Sequence, residues 1–190
     1  MNDLGADTDE ALMTRYSGGD LQAFEQLYAR HKGPLFRYFK RQCDANIVEE
    51  LYQDVWMRLV EARENYQVEA KFTTYLYRIA HNRLVDHYRS RGRQKETVMI
   101  GSSDDEEAFE PAASPQQQPD EVAYRGEQIA QFAVALEALP YDQREAFVLR
   151  EEGRLTLEGI AATTNVGKET AKSRLRYAVS RLRAAMEEYR

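Results

Sequence analysis

Leu155-Thr156-Leu157-Glu158-Gly159-Ile160-Ala161-Ala162-Thr163-Thr164-Asn165-Val166-Gly167-Lys168-Glu169-Thr170-Ala171-Lys172-Ser173-Arg174-Leu175-Arg176 contains two helical segments separated by a short turn. The first spans Leu155 to Ala162. Asn165 falls in the turn, where its short polar side chain tolerates left-handed backbone, and Gly167 can cap the second segment, Lys168 to about Met186. This is the spacing of a helix-turn-helix. Ala171, Leu175, Ala178 and Leu182 recur at helical intervals and form the inward stripe of the second helix. Lys168, Glu169, Lys172, Ser173 and Arg176 lie opposite. From Lys168 to Arg183 there are six basic residues and one acidic one. A helix of this kind fits a major groove, with arginine or lysine reading guanine and glutamate accepting from cytosine. The plainer alternative is a basic, solvated terminal helix.

Upstream, Ile129, Phe132, Ala133, Leu136 and Leu139 make a stripe that ends at Pro140. Asp142 is the expected cap of the next helix, and Gly153 its expected end. Residues 129–190 are thus an all-helical unit.

Before it the composition changes. Residues 93–128 hold three of the five prolines, the run Asp104-Asp105-Glu106-Glu107 and Gln116-Gln117-Gln118. Three basic and nine acidic groups give this segment 3 − 9 = −6, which equals the net charge of the whole 190-residue chain. The flanks are nearly balanced, residues 1–92 at 13 − 14 = −1 and residues 129–190 at 10 − 9 = +1. Such a segment buries too little apolar surface to offset ordering, so a disordered acidic linker is expected. It is either a plain spacer or an acidic strand that imitates nucleic acid in a basic channel. About 34 residues reach roughly 100 Å, against roughly 70 Å between sites two duplex turns apart.

Residues 9–92 also lack strand signals. Asp20 is the expected N-cap of a helix bearing Leu21, Phe24, Leu27 and Tyr28, which Gly33-Pro34 is expected to interrupt. A third helix from about Asn46 aligns Ile47, Leu51, Val55 and Leu59 with Trp56 beside them. Its outer face, Glu49, Glu50, Gln53, Asp54 and Arg58, is either simply solvated or a docking surface for another protein's helix. A fourth, Phe72 to about Arg89, interleaves aromatics with cations. Phe72, Leu76, Ile79, Ala80 or Arg83, and Leu84 are expected inward, and Tyr77, Arg78, His81, Asn82, Tyr88 and Arg89 partly outward. Aromatic faces stack on unpaired bases and arginines pair with phosphates.

The exclusions are as informative. Cys43 is the only cysteine, so an internal disulfide and a thiolate zinc cluster are ruled out. No apolar run approaches a membrane span, and the acidic N-terminus lacks the pattern of a signal peptide. A cytoplasmic chain is expected. No cofactor, metal or small-molecule substrate is expected, because no paired carboxylates, nucleophile–histidine set or phosphate-cradling glycine loop has usable spacing.

These residues resemble bacterial RNA polymerase sigma factors of the extracytoplasmic-function type, over about residues 13–92 and 129–186. The resemblance rests on Gly19-Asp20, Ala23-Phe24 and Leu27-Tyr28, on Glu50-Leu51 with Gln53-Asp54-Val55-Trp56, and on Tyr75 to Ala80 with Asn82, Asp86 and Arg89. It continues with Leu139-Pro140, Gln143-Arg144, Ile160-Ala161, Thr170 and Lys172-Ser173-Arg174-Leu175. It implies an all-α protein of two small domains, 9–92 for core polymerase and minus-10 melting and 129–190 for the minus-35 element, joined by the linker 93–128. It implies that Glu49, Glu50, Gln53, Asp54 and Arg58 meet the polymerase. Lys71, Phe72, Tyr75, Arg78, Asn82, Arg83, Tyr88, Arg89 and Arg91 would meet minus-10 DNA. Lys168, Glu169, Thr170, Lys172, Ser173, Arg174 and Arg176 would meet the minus-35 groove. The implied partners are core RNA polymerase, promoter DNA and an anti-sigma factor, and the connector likeness favours the mimic over the spacer. The chain departs from the family pattern at Tyr75, often tryptophan, at Gly159, usually glutamate, and at Glu169 and Ala171, which flank Thr170. Rival readings are a stand-alone helix-turn-helix regulator, a nucleic-acid enzyme using His81, Asp86 and His87, and a protein that sequesters polymerase.

Overall fold

Thr8 opens the first helix, its hydroxyl oxygen accepting from the Ala11 amide, and every further element among the described residues is also helical. The computed structural model describes residues 7–95 and 119–187, with the side chains of 91–95 and 119–125 left aside. The N-terminal half contains α1 (Asp9–Ser17), α2 (Leu21–Lys40), α3 (Ala45–Glu61), a 3-10 turn (Arg63–Asn65) and α4 (Phe72–Lys95). The C-terminal half contains α5 (Pro119–Glu137), α6 (Tyr141–Glu151), α7 (Leu157–Thr164) and α8 (Lys168–Glu187). Of the expected linker 93–128, the ends are helical in α4 and α5. Its centre, 96–118, with the acidic and glutamine runs, lies outside the described residues.

Asp20 caps α2 as its sequence predicts, accepting from the Gln22 and Ala23 amides. Gly33-Pro34 does not interrupt that helix: α2 runs through both residues to Lys40. A mid-helix proline loses a hydrogen bond and crowds the preceding turn, at about 3 kcal/mol. Leu27 lies before it and Leu35, Tyr38 and Phe39 after it, all fully buried, and burial of such side chains contributes about 1.5–3 kcal/mol each. Packing outweighs the local defect. On α3 the predicted stripe Ile47, Leu51, Val55, Leu59 is buried, with Trp56 6% exposed. At the end of α2 the Cys43 thiol donates to the Phe39 carbonyl at 3.2 Å, and burial pushes its pKa up to about 12.

In the C-terminal half, Pro140 rather than Asp142 occupies the N-cap position of α6. Proline's fixed φ suits a helix entry without a side-chain cap. Of the α5 stripe only Leu136 and Leu139 are buried; Phe132 is half-buried against Phe147, while Ala133 is exposed and Ile129 is 55% exposed. Helix α7 starts at Leu157, with Thr156 as its cap, leaving Leu155 buried but outside the helix. Asn165 is left-handed as expected, with φ 54° and ψ 46°. Ala171, Ala178 and Leu182 are buried beneath α8 and Leu175 partly so.

The two halves touch. Helix α7 packs on α4, and Glu145 of α6 is buried against Tyr38 of α2 and His81 of α4. That contact corrects one expectation: Tyr77 is 1% exposed. Its face of α4 is covered by the C-terminal half, which periodicity within one helix does not reveal. No described helix is long and apolar enough to cross a membrane.

Candidate functional site

Helix α3 presents Glu49, Glu50, Gln53 and Arg58 to solvent, with Gln53 Nε2 donating to Glu49 Oε1 at 3.4 Å one turn away. Asp54 sits lower on the face and is ion-paired with Arg83 of α4. The pair ties α3 to α4. Asp54 and Arg83, expected on two different binding faces, are therefore engaged with each other.

The start of α4 is fixed from a distance in sequence. Glu10 of α1 accepts from the Phe72 amide at 2.7 Å, satisfying an orphan donor at the positive end of the helix. The Phe72 side chain is fully buried, its ring 5.2 Å from that of His31. It is a core residue, not one presented to DNA: the periodic stripe that begins with it points inward.

Lys71, Arg78, Asn82 and Arg89 are exposed. Tyr75 is half-buried, edge-on to Tyr66 at 5.3 Å, and burial raises its phenol pKa. Tyr75, Ile79 and Asn82 of α4 share a depression of about 380 Å³ with Arg58 and Glu61 of α3. Arg58, expected on the polymerase face, thus borders the aromatic platform of α4. Tyr88 donates to the Gln42 carbonyl at 2.8 Å and its ring meets Tyr141 of α6, which places it at the seam between the halves. The Arg91 side chain lies outside those described.

On α8, Lys168, Lys172 and Arg176 share a groove of about 650 Å³ with Arg150, Thr156 and Arg183. Arg150 and Arg183 were not expected there, although Lys168, Lys172, Arg176 and Arg183 follow one another at spacings of four, four and seven, a single helical stripe. Lys168 is ion-paired with Glu158 of α7. The hydrogen bond from Lys168 holds the Glu158 carboxyl down at about 2, and Glu158 raises the Lys168 pKa in turn. Glu169 and Thr170 are exposed; Ser173 is half-buried and its hydroxyl donates back to the Thr170 carbonyl. Arg174 turns away from the groove to Asp142 of α6 at 2.5 Å. Among the described residues no group of three or more histidines, cysteines or carboxylates could hold a metal.

An all-helical protein with a cationic helix-turn-helix at one end and an aromatic–cationic helix at the other defines a nucleic-acid-binding class. Family comparison sharpens it. Residues 27–94 match Sigma-70 region 2 and residues 135–184 match Sigma-70, region 4. The RNA polymerase sigma-H factor of Pseudomonas aeruginosa is 29% identical over 175 residues, 90% of each chain. The ECF RNA polymerase sigma-E factor of Escherichia coli is 27% identical over 169 residues, 88% of each. Two solved structures share the fold. One is CnrH in complex with the cytosolic domain of CnrY, with TM-score 0.66 and 23% identity, covering 96% of this chain and 99% of that one. The other is the sigma factor RpoE with the anti-sigma factor NepR from Bartonella quintana, with TM-score 0.69 and 24% identity, covering 88% and 98%. The chain belongs to the sigma-70 family, in its extracytoplasmic-function type.

Proposed function

We propose that this protein is a dissociable initiation factor that carries core RNA polymerase to promoters and opens the minus-10 region, with no active site of its own. The observation that carries this is the coincidence of the two family regions with two distinct surfaces: region 2 includes the aromatic Tyr75–Asn82 depression, and region 4 includes the cationic α8 groove. Glu49, Glu50 and Gln53 form the polymerase-docking face of α3, with Asp54 holding that face on α4. Tyr75, Arg78 and Asn82 receive the opened strand. Extruding a base costs a few kcal/mol, offset by stacking and hydrogen bonds in a fitted site. Lys168, Glu169, Lys172 and Arg176 enter the major groove of the minus-35 element, and Arg150 and Arg183 grip phosphates beside it. Residues 9–92 and 129–190 act as the two modules and the acidic stretch between them as the tether. Both similar solved structures contain a partner protein, described for NepR as an anti-sigma factor, which supports control of this chain by such a partner in the cytoplasm.

Promoter-directed run-off transcription with purified core polymerase tests the reading: a product of defined start is expected only when both are present. Lys172→Ala with Arg176→Ala is expected to abolish protection of the upstream element, each side chain contributing about 1–3 kcal/mol if it contacts a base, while core binding is retained. Unspecific transcripts alone, or undiminished protection, would refute it.

A further inference from the structure

Helix α4 lacks the chemistry to start itself. Lys71 precedes it, and the Lys71 carbonyl already accepts from the Tyr75 amide, as the residue before a helix does. A lysine side chain has no acceptor to offer the open amides, and α4 has no carboxylate in its own first turn. The positive end of a helix calls for the opposite, an oxygen on its open amides and negative charge nearby. That group comes from 62 residues upstream, where Glu10 of α1 accepts from the Phe72 amide at 2.7 Å.

Glu10 is itself held firmly. Beside it Asp9 accepts from Arg30 at 2.7 Å and lies 2.8 Å from His31 Nε2, which fastens α1 to α2. Leu12 and Met13 bury the opposite face of α1 completely. The His31 ring in turn packs on the buried Phe72 ring, with centroids 5.2 Å apart. Two successive carboxylates thus take hold of one residue. Asp9 reaches its side chain through His31, and Glu10 reaches its backbone directly.

Phe72 ends a segment that has little hold of its own. Residues 66–71 join the 3-10 turn to α4. Val68 is 61% exposed, and Glu69, Ala70 and Lys71 are exposed with it. Among the described residues, the one backbone hydrogen bond made within this segment runs from the Glu69 amide to the Gln67 carbonyl, at 2.9 Å. Such a segment keeps one shape only where its ends are fixed. At one end Tyr66 lies edge-on to Tyr75; at the other stands the Glu10–Phe72 bond. Glu10, Val68, Glu69 and Lys71 line one depression of about 540 Å³, so the carboxylate stands beside the segment it holds. Tyr75, one turn beyond Phe72, opens the neighbouring depression that it shares with Ile79 and Asn82.

We propose that Glu10 is a positioning residue for strand opening: its bond to the Phe72 amide sets residues 66–71 and the first turn of α4 in the arrangement that receives the opened strand. This rests on the strand-opening role above and adds to it a residue of α1, outside both DNA faces. In the full-length chain, Glu10→Ala should speed hydrogen exchange at the Phe72 and Tyr75 amides about tenfold and leave the amides of α3 unchanged. Glu10→Gln keeps an accepting oxygen and should stay near the native rate. The second readout uses core polymerase and a linear duplex carrying the start mapped by run-off. There Glu10→Ala should lower permanganate reactivity of the minus-10 thymines about tenfold at saturating core. Core affinity and upstream protection should stay within about twofold, and Glu10→Gln should recover most of the reactivity. Native exchange rates in Glu10→Ala overturn the positioning role, as does failure of Glu10→Gln to recover either readout. Core affinity lost in step with opening overturns it too, because that marks general damage to the N-terminal half. A native chain that opens no duplex strikes the strand-opening role and removes the positioning one with it. Opening by the native chain that survives Glu10→Ala strikes the positioning role alone.

Discussion

Glu158 and Lys168 show how a single residue sets conditions for the DNA face. Both are exposed, and their bond joins α7 to the first turn of α8 across the turn at Asn165. The lowered Glu158 pKa makes its stabilisation complete above the ordinary carboxylate range. It is lost as pH falls through about 2. A carbon-detected titration of Glu158 should therefore give a midpoint near 2, rising toward the ordinary value of 4.5 in Lys168→Met but stopping short of it, because its backbone and Thr156 hydrogen bonds remain. A midpoint already near 4.5 in the native chain would mean that the pair does not form in solution. A DNA phosphate at this groove would compete with Glu158 for the Lys168 ammonium and with Glu169 for that of Lys172, 3.7 Å away.

Helix α2 carries the corresponding lesson for an element. Its sequence contains a textual stop, Gly33-Pro34, that the packed structure overrides. Pro34→Ala should restore the missing hydrogen bond and raise stability by about 1–2 kcal/mol, a rise of several degrees in melting temperature. A lower melting temperature would mean that Pro34 is needed for the shape of α2. Propensity is a local quantity, whereas Leu35, Tyr38 and Phe39 are held by α3, α4 and the other half. The same distinction separates what was legible in the sequence from what was not. Ile47, Leu51, Val55 and Leu59, the Asp20 cap and the left-handed Asn165 are local, and each is found where periodicity and side-chain chemistry place it. Phe72 as a DNA contact and Tyr77 as an outward aromatic fail because the first belongs to an inward stripe and the second is covered by a distant segment. Arg150 of α6 joins the α8 groove through tertiary proximity and left no trace in spacing, whereas Arg183 lies on the stripe of α8 itself.

At the scale of the whole molecule a single hydrophobic cluster runs through both halves. Leu51, Leu59 and Leu76 enter it from the N-terminal half and Leu149, Ile160 and Ala178 from the C-terminal half, and the contacts of Glu145 with Tyr38 and His81 are set where the halves meet. Heat should therefore melt the two halves together. Calorimetry is expected to show a calorimetric enthalpy equal to the van't Hoff enthalpy, the mark of one cooperative unit. A larger calorimetric enthalpy would mean that the halves melt as separate units.

Cys43 turns this architecture into its own reporter. With the thiol pKa near 12, only about one sulfur in 10⁵ is ionised at neutral pH, and the thiolate is the species that alkylates. Maleimide or iodoacetamide should consequently modify the native protein slowly, and the rate of modification would report how often the turn between α2 and α3 releases the thiol, without any engineered tag.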